Sequence, residues 1–562
     1  MIIEAIKKGI KEVLTKMGQE TISFDVLETE LTFGDYSSNV ALVFAKHTGK
    51  NPKEVAEELK EKLFGKISKV EKIETAGVGF INFFISEEAI LENLEKSLAE
   101  DYGKNDLYAG KKVMVEYAQP NPFKPFHVGH VMAITIGETL ARLFENARAT
   151  VKRVNYQGDV GRHVASAIYG ILHKKDEVPK EGVKNAEVVE FLGDCYVYGT
   201  HAYEESNEVK EEITALNKKI FERSDEEINK IYDWGRKISF EYFDEVYERL
   251  GSHFDRYYLE SEVAEDGLQI VKENIGKVFE ESDGAVVWPG EKYGLHTRVF
   301  INKEGLPTYE AKEIGLFNKK LQEINPDISI TETGNEQREY FKVVYKVLSL
   351  IYPNLKTAPI HISHGMMRLP SGKMSSRLGN VITAESLMGG VKNLVVSKMD
   401  NKEFAPEEKE ETVSSVAVGA IKYSILKQSV GKDVHFDFEK SISFEGDSGP
   451  YLQYTGVRIK SLLKKAEAEN ILGSKENPEE IGDIERFLIR FPDVAKRALV
   501  EMSPQYIATY LIDLSAFYNS YYASHQIIGD KNAPYRMYLS RAVLSTLEKG
   551  LWLLGIGVPK RM

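Results

Sequence analysis

Two histidines three residues apart, His127 and His130, are the residues whose types and spacing most favour chemistry. The apolar run Val113-Met114-Val115 precedes them. A proline-rich loop follows this run, and apolar residues at helical spacing then continue to Phe144, so the pattern predicts strand, loop and helix. The unpaired N–H groups and the dipole at such a helix start attract phosphate, and Gly129 leaves the backbone approachable. Two imidazoles on one helical face can donate to phosphoryl oxygens as charge develops in a transition state.

A second motif lies far downstream, in the stretch Leu369-Pro370-Ser371-Gly372-Lys373-Met374-Ser375-Ser376-Arg377-Leu378-Gly379-Asn380. This loop presents Lys373, a point charge suited to pyrophosphate. Alone, a His-x-Gly-His pattern also fits a chance pair or two metal ligands, so it is weak evidence of nucleotide chemistry. Two motifs in this order, at domain-scale separation, are a much more specific signal. Together they resemble the HIGH and KMSKS signatures of class I aminoacyl-tRNA synthetases.

Composition restricts the class of protein. At 562 residues the chain should form about three domains. Its 42% hydrophobic and 28% charged residues are typical of a soluble globular protein, and no apolar run approaches the ~18 residues that a membrane span needs. The net charge of −13 disfavours non-specific nucleic-acid binding, so any RNA contact requires a local basic patch. A single cysteine, Cys195, excludes disulfides and cysteine-based zinc sites and is typical of a reducing cytoplasm.

The order of predicted elements divides the chain into three units. Residues 1–105 are expected to form a small α+β domain. Between 106 and 395, strands alternate with helices, which predicts an α/β fold with a Rossmann-like, doubly wound parallel sheet that binds ligands at the carboxyl ends of its strands. The helical, acidic and tyrosine-rich stretch from about 165 to 280 is interpreted as an insertion. Residues 396–562 are predicted to be all helical.

Over essentially its whole length, the chain is most similar to arginyl-tRNA synthetases. That family has an extra N-terminal domain that contacts the tRNA elbow, a catalytic domain and a helical anticodon-binding domain. The residues that carry the resemblance in these three domains are, in order, Gly34-Asp35-Tyr36 and Gly79-Phe80-Ile81-Asn82; Glu116, Asn121 and 124–130; and 444–454 and 554–562.

The resemblance implies an ATP-dependent arginine–tRNA ligase. Such an enzyme activates L-arginine with ATP to arginyl-adenylate and transfers the arginyl group to the 3′ end of tRNA(Arg). It implies Mg²⁺ on the phosphates and a place in the cytoplasm, away from membranes. A monomeric chain is expected.

The resemblance also implies roles for individual residues. Those implied to be catalytic are His127, His130 and Lys373. Those implied to hold arginine are Glu116, Asn121, Tyr309, Glu313 and Gln337. Those implied to hold ATP are His127, Gly129, His130, His364, Gly365, Met366 and Lys373. No side chain is assigned as a metal ligand.

The physical chemistry of the arginine residues agrees with this assignment. A guanidinium has five donors and no acceptor, so its pocket needs carboxylates and carbonyls. Glu116 ends an apolar strand, and Tyr309 and Glu313 share a helix face. Without the resemblance, a strand-end salt bridge for Glu116 and a solvated helix face for Glu313 would be the better interpretations. Glu313 stands where the family usually has aspartate, and Arg377 replaces the second lysine of KMSKS.

Two alternative functions stay open at this point. A nucleotidyltransferase could share the His-x-Gly-His loop, but such chains are short and lack a long helical C-terminal region. A non-catalytic RNA-binding paralogue is disfavoured by the intact His127, His130 and Lys373. For tRNA binding, the candidate basic residues of the C-terminal unit are Arg490, Lys496, Arg497, Arg536 and Arg541.

Overall fold

The computed structural model describes residues 2–369, 382–399, 404–476 and 480–562. Its N-terminal part consists of α1 (Ile2–Lys16), β1 (Val26–Glu28), β2 (Tyr36–Ser38), α2 (Val40–Thr48), α3 (Pro52–Leu63), β3 (Val70–Ala76), β4 (Phe80–Ile85) and α4 (Glu87–Lys96). The four strands form an antiparallel sheet in the order β1-β2-β4-β3. Asn51 caps α3 by accepting from the Lys53 backbone N–H at 3.0 Å, as its Asn-Pro start predicts. The predicted N-terminal α+β fold is confirmed.

A parallel sheet organises the central part of the chain. The elements are β5 (Lys112–Glu116), α5 (Val128–Asn146), β6 (Thr150–Gln157), α6 (Arg162–His173), α7 (Asn185–Glu205), α8 (Asn207–Glu222), α9 (Glu226–Arg249), β7 (Arg256–Leu259), α10 (Glu260–Glu273), β8 (Glu280–Ser282), β9 (Ala285–Trp288), β10 (Arg298–Ile301), α11 (Tyr309–Glu323), β11 (Ile328–Gly334), α12 (Arg338–Ile351), β12 (Ala358–His364), β13 (Met367–Arg368) and α13 (Ala384–Lys398). Five parallel strands pair in the order β12-β11-β5-β6-β7, which confirms the predicted Rossmann-like sheet.

The stretch interpreted as a helical insertion contains more than helices. Helices α7, α8 and α9 pack together there, but β7 follows them and pairs in parallel with β6 as the edge of the main sheet. This strand is only four residues long, Arg256–Leu259, and carries no clear alternation of apolar and polar residues. Sheet pairing, rather than its own sequence pattern, therefore makes it a strand.

The C-terminal part is helical and packs directly on α5, the helix that follows the first strand of the parallel sheet. It contains α14 (Pro406–Leu426), β14 (Val434–His435), α15 (Phe438–Ser441), α16 (Gly449–Ala468), α17 (Asp483–Leu488), α18 (Phe491–Val500), α19 (Gln505–Ser524) and α20 (Ala533–Leu553). Helix α5 contacts α14, α18 and α20, and one apolar core continues from the sheet into these helices. The two-residue strand β14 pairs with β13.

The N-terminal part lies against the same helices. The Tyr36 hydroxyl donates to the Asp493 carboxylate at 3.1 Å, and the Arg486 guanidinium donates to the buried Asp35 carboxylate at 2.9 Å. Burial raises the pKa of Asp493 to about 7. These contacts join residues more than 400 positions apart in sequence, so the two ends of the chain form one continuous body.

The predicted basic surface is wrong for two of its five candidates. Arg490 and Arg536 are only 5% and 7% exposed. Arg536 donates to the Gln526 carbonyl at 2.7 Å, and Arg490 lies close to Asp35 and Tyr36 of the N-terminal part. Because both side chains are buried, neither presents its charge at the surface to RNA.

The three other candidates are exposed or half-buried and have acidic neighbours. Lys496 contacts Glu4, Arg497 contacts Glu501, and Arg541 contacts Glu467.

Among the described residues, no helix is long and apolar enough to cross a membrane.

We expect the crossing of α10 and α11 to tolerate no side chain at Gly267. A Cβ atom there would lie 2.1 Å from the Ala311 carbonyl oxygen. Gly267→Ala should therefore destabilise the protein by about 1–3 kcal/mol, the usual cost of overpacking. Gly389→Ala in α13 is the matched control, because a Cβ there has no atom within 4 Å and alanine favours helix. Thermal unfolding should show a lower midpoint for Gly267→Ala and an equal or higher one for Gly389→Ala; equal midpoints in both variants would contradict the packing argument.

Candidate active site

A cleft of about 1390 Å³ opens at the carboxyl edge of the parallel sheet. Because parallel strands end at the same edge, the residues that finish them come together there. Glu116, Glu332 and His364 end or nearly end β5, β11 and β12, and Glu260 directly follows β7. This edge therefore gathers carboxylates and an imidazole from distant parts of the chain.

His127 and His130 cap the N-terminus of α5. His127 is the N-cap residue, and its Nδ1 accepts from the Gly129 backbone N–H at 3.1 Å. His130 Nδ1 in turn accepts from the His127 backbone N–H at 3.2 Å, and the rings stack with centroids 3.7 Å apart. A Cβ on Gly129 would lie 2.9 Å from the His127 ring, so glycine is needed at this position.

This capping fixes the proton positions of both rings. Burial, with a contribution from Lys124, lowers the pKa of His127 to about 4 and that of His130 well below its usual value. Both imidazoles are therefore neutral at pH 7. Since each Nδ1 accepts a backbone hydrogen, the ring proton of each lies on Nε2. The helix start thus offers two N–H donors to a ligand in the cleft.

Glu116 has a different environment from the one expected for a substrate contact. It is fully buried, forms an ion pair with Lys320, and accepts from the Gln119 side-chain amide at 2.7 Å. The strand-end salt bridge considered from sequence is thus present. Gln119 lines the cleft, so the Glu116–Lys320 pair lies one side chain away from it.

Glu313 does line the cleft and is only 8% exposed. The solvated helix face considered from sequence is therefore excluded for this residue. Burial raises the pKa of Glu313 to about 7, the nearby Glu116 carboxylate acts in the same direction, and Lys320 opposes them. A cationic ligand would restore the charged form of this carboxyl group.

The structure brings most of the other predicted site residues to the same cleft. Asn121, Tyr309 and Gln337 line it together with His364, Gly365 and Met366. Tyr309 begins α11 and is 66% exposed, and Gln337 ends a short 3-10 turn after β11. Lys373 lies outside the described residues.

Further acidic residues line the cleft that the sequence analysis did not select. They are Glu260, Glu310, Glu332 and Glu336. Lys312 neutralises Glu260 in a buried ion pair, and Arg298 lies 3.6 Å from Glu310. The resemblance selected Glu116, and its position as a charged residue at the end of an apolar strand supported that choice. The same signal would have selected Glu332, whereas Glu260 follows a strand that has no apolar pattern of its own.

The cleft therefore has two electrostatic regions. The carboxyl groups of Glu310 and Glu313 on α11 favour a cationic ligand group, whereas Lys312 already neutralises Glu260. The start of α5, with the N–H donors of His127 and His130, favours an anionic one. A substrate pair in which one member is cationic and the other carries phosphates matches this arrangement.

Comparisons with sequence families cover nearly the whole chain. Residues 93–438 match the family described as "tRNA synthetases class I (R), catalytic domain", residues 452–562 match the "DALR anticodon binding domain", and residues 4–85 match the "Arginyl tRNA synthetase N terminal domain".

Individual relatives agree with the family matches. The arginine–tRNA ligase of Fusobacterium nucleatum is 31% identical over 579 aligned positions, covering 100% of this chain and 99% of that protein. The arginine–tRNA ligase of Borrelia hermsii is 29% identical and covers 99% of each. Among solved structures, Thermus thermophilus arginyl-tRNA synthetase has the same fold, with a TM-score of 0.82, 24% identity and full coverage of both chains.

Glu313 should make stability depend on pH. A carboxyl group whose pKa rises from 4.5 to about 7 on folding stabilises the fold below pH 4.5, and this contribution is lost as the pH rises through 7. As the pH is raised from 5 to 8, the free energy of unfolding of Glu313→Gln should therefore increase relative to that of the wild type, by on the order of 3 kcal/mol.

The matched control is Glu323→Gln at the other end of α11. Arg256 lowers the pKa of Glu323, so this carboxylate stabilises the fold above its unfolded pKa. At pH 8 the Glu323→Gln variant should therefore be slightly less stable than the wild type. Thermal unfolding midpoints at both pH values measure the difference. If the gap between Glu313→Gln and the wild type did not change with pH, Glu313 would not be a buried neutral acid.

Proposed function

The chain belongs to the class I arginyl-tRNA synthetases, and from that premise we propose which of its residues perform arginine–tRNA ligation. As an arginine–tRNA ligase it uses ATP, and its C-terminal DALR domain binds tRNA. The observation that carries the residue assignment is the two-region cleft, in which the carboxyl group of Glu313 faces the same space as the histidine-capped start of α5.

In the first step, a carboxylate oxygen of arginine attacks the α-phosphorus of ATP, and pyrophosphate leaves. In the second, a hydroxyl of the terminal ribose of the tRNA attacks the carbonyl carbon of arginyl-adenylate, and AMP leaves. Neither step needs a side-chain nucleophile, so catalysis consists of positioning and charge stabilisation. We assign the Nε2–H donors of His127 and His130 to the phosphoryl oxygens, and Lys373 to the pyrophosphate.

The arginine side chain belongs in the acidic region. Its guanidinium presents several donors in one plane, which a carboxylate can accept two at a time. Lys320 already neutralises Glu116, so Glu313 should supply most of the negative charge for the ligand. Asn121, Gln337 and Tyr309 line the same cleft and supply neutral hydrogen-bonding groups.

ATP then occupies the region between α5 and the end of β12. Gly129 lets the phosphates approach the helix start, while His364, Gly365 and Met366 border the space for the nucleoside. We propose that Mg²⁺ enters with the phosphates, because this ion commonly keeps water and substrate phosphates as ligands. The described residues include no cluster of three side chains suited to holding a metal ion.

Three further assignments stay predictions. They are contact of the N-terminal part with the tRNA elbow, a monomeric state and a cytoplasmic location. The domain limits 105 and 395 are likewise proposed boundaries.

Arginine selection should depend on Glu313. Glu313→Gln should lower kcat/KM for arginine by about 10–100-fold and leave the KM for ATP unchanged, because the guanidinium loses a charged acceptor. Citrulline, which has no charge and presents a carbonyl to the acids, should be a poorer substrate than arginine by about 10²–10⁴-fold. Aminoacylation kinetics with Glu323→Gln as the control test this. Unchanged arginine use in Glu313→Gln would exclude the residue from the pocket.

The two signature motifs should stabilise one transition state. His130→Ala and Lys373→Ala should each slow arginine activation by about 10²–10³-fold, the effect of losing a positioned donor, with little change in arginine affinity. Because His130 also caps α5, the thermal midpoint of that variant must be compared with the wild type. Wild-type activity in either variant would refute its catalytic role.

A further inference from the structure

Glu332 has an environment that neither the fold nor the residue assignments above explain. It lies two residues before the end of β11, whose neighbours in the sheet are β12 and β5. Its side chain is buried, yet it contributes to the wall of the active-site cleft. A carboxyl group is thus placed at the base of the cleft, within a strand that is otherwise part of the core.

Within the described part of the chain, neither carboxyl oxygen of Glu332 has a hydrogen-bond partner. The nearby imidazole of His364 places Nε2 3.7 Å from Oε1, which is too long for a hydrogen bond. His364 Nδ1 lies 2.6 Å from the Gly365 carbonyl oxygen, which can only accept, so Nδ1 carries the proton. Nε2 of the neutral ring therefore faces Glu332 with a lone pair.

Burial favours the neutral form of both groups. Burial raises the pKa of Glu332 well above its usual value, and the Glu336 carboxylate acts in the same direction. Burial also lowers the pKa of His364. A neutral carboxylic acid has one O–H donor and a carbonyl acceptor, so Glu332 can exchange hydrogen bonds in both directions with a ligand.

A purely structural role does not account for this residue. Ile330 lies on the same face of β11 and packs in the apolar core, and an apolar residue at 332 would extend that packing. A buried polar group without partners destabilises the fold relative to an apolar side chain of similar size. A ligand in the cleft would offset this cost by supplying the missing partners.

The surroundings of Glu332 indicate which part of a ligand would supply these partners. His364 lines the cleft together with His127 and His130 and lies 3.7 Å from Glu332, so Glu332 belongs to the region assigned to ATP. The acids Glu313 and Glu116 influence each other, whereas Glu336 is the charged group that influences Glu332. The Glu336 carboxylate, which also lines the cleft, disfavours phosphates beside Glu332, and a neutral carboxyl group suits neutral hydrogen-bonding partners, which leaves the nucleoside.

We propose that Glu332 is a binding and specificity-determining residue for the nucleoside of ATP. Its carboxyl group accepts a hydrogen bond from a ribose hydroxyl or from the amino group of adenine and donates one in return. The inference rests on the assignment of ATP to this region under the proposed function.

Two substitutions at this position separate binding from packing. Glu332→Val removes the polar atoms and fills the space with apolar atoms, so the KM for ATP should rise by about 10–100-fold, the loss of one or two hydrogen bonds. The KM for arginine should stay unchanged and the thermal midpoint should stay equal or rise. Glu332→Gln keeps a donor and an acceptor and should restore most of the ATP affinity. Glu339→Val, on the exposed face of α12, is the control and should leave both KM values unchanged.

Nucleotide analogues identify the contacted group. If Glu332 binds a ribose hydroxyl, the difference between wild type and Glu332→Val should disappear with 2′-deoxyATP or 3′-deoxyATP. If it binds the amino group, the difference should disappear with purine riboside triphosphate. The assay is aminoacylation at saturating arginine and tRNA, with the nucleotide varied.

Three results would overturn the inference. One is a wild-type KM for ATP in Glu332→Val. Another is a lower thermal midpoint with equal increases in both KM values, which would indicate a structural residue. The third is an increase in KM from wild type to Glu332→Val that is the same for ATP and for every analogue. All three presuppose a wild-type enzyme that charges tRNA with arginine using ATP; failure of that reaction would instead refute the proposed function.

Discussion

The reciprocal capping of α5 by His127 and His130 is the interaction on which the site depends. A helix start normally takes serine, threonine or aspartate, whose oxygens satisfy the free N–H groups. Here two imidazole nitrogens accept those hydrogens, which turns each ring so that its own N–H faces outward. One set of hydrogen bonds thereby both caps the N-terminus of the helix and orients the donors that the chemistry requires.

The rest of α5 connects this start to the helical C-terminal part. Glu138 accepts hydrogen bonds from Tyr117, Arg142 and Arg153, and these contacts attach the helix to the sheet. Arg142 also donates to the Trp552 carbonyl at 2.9 Å, at the end of α20. The buried Lys422 of the C-terminal part donates to the Gly555 carbonyl nearby. The helix that carries the histidines is therefore held on one side by the sheet and on the other by the tRNA-binding domain.

Acidic groups around the cleft are arranged for ligands more than for stability. Glu313 and Glu332 are buried with their pKa values raised, so their charged forms oppose folding. Glu116 and Glu260, in contrast, are each matched by a lysine. The protein thus neutralises some acids internally and leaves others for the substrates, which is typical of sites whose groups need perturbed pKa values.

The sequence by itself determined those features that depend on neighbouring residues. The helix starts at Asn51 and His127 depend on side chains that reach backbone groups two or three residues away, so local patterns predict them. The two signature motifs and their order likewise identified the family, and the resemblance named part of the cleft lining. The central α/β architecture, apart from the edge strand β7, was accessible because alternating strands and helices allow few arrangements.

Only the tertiary structure decided which charged residues face each other and which are buried. Lys320 reaches Glu116 across about 200 positions, and Arg490 is buried against the N-terminal part, so neither environment is written in a local pattern. The same holds for Glu332, whose importance lies in having no hydrogen-bond partner within the described chain. Charge, pKa and accessibility are properties of an environment that forms when distant segments pack, and for that reason the sequence named the residue types while the fold assigned their states.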